Sequence, residues 1–164
     1  MDELLPRSSQ ALEVCQRHAA EVASRTSVGA WAQVESALAS YAAATIYAEA
    51  ESIIKTLTAD RLGRSPADAR VRSFGKVAAN RLIRSIKIGE LSGVLGHFGH
   101  ECKEHFSNAL DSKDKTDWDS LIGARHGTAH FEDENASPLT LGDVAGYFPS
   151  VGAVLETYRK SLET

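Results

Sequence analysis

The chain contains only two cysteines, Cys15 and Cys102, far apart and in no Cys-x-x-Cys pair, which argues against both a disulfide framework and a zinc ribbon. Prolines number only four, and no low-complexity tract or repeat interrupts the sequence, so a long linker or a solenoid is not expected. No apolar stretch approaches the length of a bilayer-spanning helix, and no segment sustains the period-two alternation of a strand. A phosphate-binding loop is missing as well: GELSGVLG (89–96) has the glycines but neither the lysine nor a preceding strand. The opening MDELLPRSSQ lacks the basic segment and apolar run of a signal peptide. A reducing cytoplasmic setting, without membrane contact, is the expectation.

What is present points to helices. A chain of 164 residues is about one domain long, and its 43% hydrophobic residues suffice for a core without metal or disulfide staples. A single domain over 1–164 is expected. Ser8 and Ser9 after Pro6 suit the start of a first helix ending within 24–27. After Gly29 a long run without Gly or Pro sets Trp31, Val34, Leu38, Tyr41 and Thr45 at spacings of three and four, predicting a central helix that Gly63 ends. Ser65-Pro66-Ala67-Asp68 supplies a serine cap, a proline at the first position and an acid, restarting the chain as a third helix. Val71, Phe74, Ala78 and Leu82 form its apolar stripe, expected to face the core with most of the cations outside it.

Further on, the glycines within 85–110 predict two short helices joined near Gly99. SKDKTDW reads as a polar loop, with a capping-box-like start at Thr116-Asp117-Trp118-Asp119 placing Trp118, Leu121 and Ile122 in the first turns of a helix that enters ARHGTAH. Thr140-Leu141-Gly142-Asp143 opens a last helix to about Leu162, with Pro149 expected to kink or divide it. The predicted architecture is an all-α bundle of four to five main helices with additional short ones.

Charge is unevenly distributed. The net charge is −4, yet residues 60–87 carry Arg61, Arg64, Arg70, Arg72, Lys76, Arg81, Arg84 and Lys87 against Asp60 and Asp68 only. Local field rather than total charge governs encounter with a polyanion. Arg72, Lys76, Arg81, Arg84 and Lys87 are therefore candidate RNA-backbone contacts, the alternative being an ordinary solvated helix face.

The chemistry-bearing stretch is ARHGTAHF (124–131), with Arg125, His126 and His130 around Gly127. His126 and His130 share a helix face, whereas Arg125 and His130 lie about 140° apart on a regular helix; Gly127 can let that end distort. Arginine and histidine without a nucleophile suit phosphodiester cleavage by the 2′-hydroxyl of RNA itself. Histidine can take and return protons near neutrality, and arginine holds the crowded phosphate in a fork. One His130 does not readily serve as base and acid together, so a two-fold dimer with facing motifs completes the set. Against this stands a plain reading, since arginine and histidine at a helix C-terminus are favoured by the macrodipole alone.

Arg125 with four residues before His130 resembles the R-x4-6-H signature of HEPN domains. The likeness extends to TIYAEAESIIKTL, RLIRSIKIGELSGVLGHFGHECKEHF and LTLGDVAGYF, covers most of 30–160, and is nearest to RiboL-PSP-like members. The resemblance implies a helical homodimer with the two motifs facing each other and, in many members, a metal-independent endoribonuclease of toxin-antitoxin, phage-defence or RNA-processing settings. It implies catalytic roles for Arg125 and His130, a positioning role for His126, where many members have asparagine, and a supporting carboxylate at Glu51 or, less favoured, Glu49. An antitoxin or other regulatory protein is a possible partner. Some HEPN domains are non-catalytic modules that bind protein or nucleic acid, which is the alternative function.

His97, His100, Cys102 and His105 have the residue types of a zinc site, but on helical spacing they spread over a wide arc, and Phe98 and Phe106 mark the buried side instead. His126 and His130 lack the glutamate of an HExxH pair. No metal and no cofactor is expected.

Overall fold

A computed structural model describes residues 4–24, 27–129 and 139–164, with only the backbone at 28–29 and 124–129. Its seven helices among the described residues are α1 (Pro6–Ala23), α2 (Val28–Gly63), α3 (Ala69–Leu82), α4 (Ile88–Gly96), α5 (His100–Ala109), α6 (Ser112–Ala129) and α7 (Leu141–Ser161). The described residues contain no strand, so the all-α class holds.

The 36-residue α2 packs against α1, α3, α6 and α7. Its buried face is built largely of small side chains, Ala39, Ala42, Ala43 and Ala50, with Ile46, Tyr47 and Ile54 between them. Small residues let neighbouring helices approach closely, and the alternating large ones fill the gaps. Around this face sit Trp118 of α6, Phe106 of α5 and Tyr158 of α7, all fully buried. Phe106 and Tyr158 meet edge to face, with ring centroids 6.0 Å apart. Thr58 donates to the Ile54 carbonyl and lies 2.8 Å from the Tyr158 hydroxyl, which therefore donates to Thr58 and satisfies the one polar end of a buried ring. Burial raises the Tyr158 pKa, keeping this donor protonated.

The ends of α1 and α3 depart from the sequence expectation. Ser8 and Ser9 lie inside the first turn of α1 rather than capping it, and the position before Pro6 is Leu5, which has no polar side chain. Glu49 of α2 does the work from outside: its carboxylate accepts the Arg7 N–H at 3.2 Å, the Ser8 N–H at 2.7 Å and the Ser8 hydroxyl at 2.5 Å. Negative charge at a helix N-terminus also complements its dipole. At α3 the cap is Asp68, accepting from the Arg70 and Val71 N–H groups, and not Ser65. Ser65 instead accepts the Ala67 N–H in the preceding turn.

The larger correction concerns the α3 stripe. Val71 is 54% exposed, Phe74 75% and Leu82 56%, and α3 has no buried residue at all. The helix meets α2 on its Gly75 side instead, where an added Cβ would reach Leu62, and of the predicted stripe Ala78 alone is half-buried. The two short helices did form as expected, separated by Gly99 at φ 151°, the one positive φ among the described residues. SKDKTDW is helical rather than a loop, because α6 begins at Ser112 with the Asp111 carboxylate accepting the Asp114 N–H at 2.7 Å. Thr140 and Asp143 form a reciprocal capping box, and α7 runs undivided through Pro149.

The Glu49 clamp makes a quantitative prediction. Glu49→Ala leaves the part-buried Ser8 N–H and hydroxyl, and the exposed Arg7 N–H, without their charged acceptor and should lower stability by about 2 kcal/mol. Glu51→Ala, which among the described residues removes an i,i+4 pair with Lys55, should cost less than about 1 kcal/mol. Urea titrations of the two variants check the ranking.

Candidate functional site

Of the sequence-predicted cluster, Arg125 and His126 lie at the C-terminal end of α6, so the site is built from how that helix is held. Three successive residues tie it to α7 and to the stretch that leads into α4. Asp117 accepts the Ser150 hydroxyl of α7 at 2.8 Å and also pairs with Lys113 one turn back. Trp118, fully buried, donates its indole N–H to the Ile86 carbonyl at 2.6 Å. Asp119 accepts the Ile88 N–H at 3.0 Å, so an α6 carboxylate caps the start of α4. Beyond this clamp Leu121 and Ile122 are buried in the core.

From there the helical backbone of α6 continues through Arg125 and His126 to Ala129. His130 lies outside the described residues. The expected distortion at Gly127 does not interrupt the helix. Arg125 and His126 occupy its last turns, where the C-terminal end of the dipole favours positive charge.

The supporting acids have other partners among the described residues. Glu51 pairs with Lys55 at 2.8 Å, and Glu49 is committed to α1. A groove of about 700 Å³ opens between the start of α1 and α2, lined among others by Arg7, Tyr41, Thr45, Glu49 and Ser52. Its one carboxylate is already engaged by backbone N–H groups, so the groove offers little unclaimed chemistry.

The cations of 60–87 fall into two sets. Arg61 donates to the Leu162 carbonyl at 2.6 Å and so finishes α7; Arg72 donates to the Ala67 carbonyl at 2.5 Å and, more weakly, to Ser65. Lys76 extends beside Gly63 at the end of α2. Arg64 lies 4.0 Å from Glu163, an exposed and weak pairing. Arg70, Lys76, Arg81, Arg84 and Lys87 are exposed and, among the described residues, pair with no carboxylate.

The His97, His100, Cys102 and His105 quartet does not converge. His100 lies 3.4 Å from Glu104, Cys102 is buried, and His105 faces Ser161 at 2.8 Å. Since the Ser161 hydroxyl donates to the Thr157 carbonyl, His105 Nδ1 carries the proton and donates to it. Among the described residues no three His, Cys, Asp or Glu side chains come together as metal ligands.

Compared with family models, curated proteins and solved structures, the chain gives no match.

The clamp also predicts a pH dependence. The Lys113 hydrogen bond, helped by Ser150, holds the Asp117 carboxyl below the usual carboxylate pKa despite desolvation. A depressed folded pKa gives stability that is present above the unfolded value of about 4 and lost as pH falls through the folded one. Asp143, bonded by Thr140, and Glu156, bonded by Arg159, are lowered too, so the diagnostic quantity is a difference between proteins. Asp117→Asn should be less stable than wild type at pH 7, and the gap should shrink as pH falls below about 4. Denaturant midpoints across pH 2–7 measure it; a constant gap would mean that Asp117 acts by shape alone.

Proposed function

We propose that this chain is a metal-independent endoribonuclease of HEPN type, acting as a homodimer on RNA. The observation that carries the reading is the sequence cluster of Arg125, His126 and His130, whose first two residues lie in the last turns of a helix clamped to the body at 117–119. Rigid support within about two turns of Arg125 is what positioning chemistry requires.

In this reading one His130 removes the proton from the ribose 2′-hydroxyl, and the 2′-oxygen forms a bond to phosphorus. The 5′-oxygen leaves, taking a proton from the His130 of the other protomer. Two Arg125 guanidiniums hold the non-bridging oxygens and offset the charge that builds there. His126 orients the scissile phosphate. Lys76, Arg81, Arg84 and Lys87 are free to contact RNA phosphates, whereas Arg72 is partly committed to its own turn. Such contacts give affinity without sequence choice. Toxin-antitoxin, phage-defence and RNA-processing roles all suit this chemistry.

The test is cleavage of end-labelled total RNA and tRNA in excess EDTA by wild type, Arg125→Ala and His130→Ala, each checked for folding and dimerisation. Wild type should cut, and both variants should lose about a hundredfold or more in rate. A folded wild-type dimer that cuts nothing, with RNA binding unchanged by His130→Ala, would favour a non-catalytic binding module instead.

A further inference from the structure

The exposed side of α3 combines two features that a solvated helix face does not need. Val71, Phe74 and Leu82 stand on one ridge, at spacings of three and eight, with more than half of each side chain open to water. Arg70, Phe74, Val77 and Arg81 form the adjacent ridge at i, i+4, i+7 and i+11, with Val77 also more than half exposed. Phe74, at 75% exposure, belongs to both ridges. Scattered apolar residues on a surface mean nothing, but a contiguous run of four on one helix marks a contact surface.

The composition of the face discriminates among occupants. An RNA backbone needs the cations but has no use for Val71, Phe74, Val77 and Leu82. A membrane surface would accept the apolar residues with cations at the margin. Here Arg70 and Arg81 lie within the apolar ridge, where lipid insertion would bury their charges. A second copy of α3 laid across the first by two-fold symmetry would oppose arginine to arginine. An acidic amphipathic helix meets every condition: its apolar stripe covers Phe74 and the valines, and its flanking carboxylates pair with Arg70 and Arg81, which have no carboxylate partner among the described residues. Arginine and aromatic residues are also the side chains that dominate binding at protein interfaces.

We propose that α3 is a docking face for an acidic amphipathic helix of a partner protein, with Phe74 as its central anchor and Arg70 and Arg81 as its charge contacts. The face is separate from the Arg125 cluster in the sequence and does not depend on whether that cluster cleaves RNA. Docking there would also cover Arg81, linking partner binding to access along the basic face.

The test uses three fluorescein-labelled designed helical peptides: one with leucines on one face flanked by glutamates, one with the same leucines flanked by lysines, and a scrambled acidic peptide. Anisotropy is measured on the full chain and on Phe74→Ser, Val77→Ser and Arg70→Ala, each with an unchanged circular-dichroism spectrum. The acidic amphipathic peptide should bind wild type and weaken about tenfold or more in Phe74→Ser and in Arg70→Ala, with the other two peptides binding more weakly still. RNA cleavage, where present, should be unaltered by Phe74→Ser. Equal binding of acidic and lysine-flanked peptides, or indifference to Phe74→Ser, would overturn the proposal. So would failure of all peptides alongside Phe74-dependent binding to vesicles containing one-third phosphatidylglycerol or to oligouridylate. Self-association of wild type abolished by Phe74→Ser would show that a second copy covers the face, and would overturn it equally.

Discussion

The run Asp117-Trp118-Asp119 is the constraint on which the arrangement of the bundle depends. On a helix, three consecutive residues point in three directions, and here each ends in a hydrogen bond: Asp117 to Ser150 of α7, and Trp118 and Asp119 to the Ile86 carbonyl and the Ile88 N–H at the entry to α4. Among the described residues the indole is the largest fully buried side chain, and it places its one polar atom on the buried Ile86 carbonyl. Moving α6 therefore breaks contacts to α7 and to the start of α4 together. That is how α6 is kept in one register up to Arg125.

The same device recurs at three helix ends. Glu49 finishes α1, Asp119 finishes the start of α4, and Arg61 finishes α7, each from a position distant in sequence. Charged side chains serve here as remote caps, anions at N-termini and cations at C-terminal carbonyls, as the helix dipole requires. This use removes several charges from the functional inventory: Arg61 and Arg72 are structural, while Arg70, Lys76, Arg81, Arg84 and Lys87 are left for other contacts. Among the described residues no buried side-chain polar atom lacks a hydrogen-bond partner. An uneven charge pattern in the sequence thus becomes an internal capping system plus one unsatisfied basic and apolar face.

Local signals were readable and remote ones were not. Thr140 and Asp143 cap each other within one turn, so spacing alone finds them; Gly99 separates two short helices because only glycine takes its φ easily. The class of the fold followed from periodicity, since α2 and α7 repeat apolar residues at three and four. By contrast, Glu49 and Ser8 are 41 residues apart, and no local pattern announces their bond. Thr116 and Asp119 looked like a local cap, but Asp119 reaches 31 residues back to Ile88, and α6 had already begun at Ser112. The α3 error is the most instructive. An apolar stripe specifies that a helix face wants cover and does not say whether the chain itself supplies it; α2 takes the Gly75 side, and Phe74 is left outside.

For the candidate site, the sequence supplied the cluster and the structure supplies its footing. The chemistry proposed needs arginine, histidine and a ribose hydroxyl in one cleft, and it leaves a signature that no water-dependent hydrolysis shares. The most direct measurement is the chemical identity of the RNA ends produced by the wild-type protein in EDTA. Attack by the 2′-oxygen predicts 2′,3′-cyclic phosphates with 5′-hydroxyls on the downstream fragments. Ends bearing 3′-hydroxyls and 5′-phosphates would contradict it, because water would then have been the nucleophile.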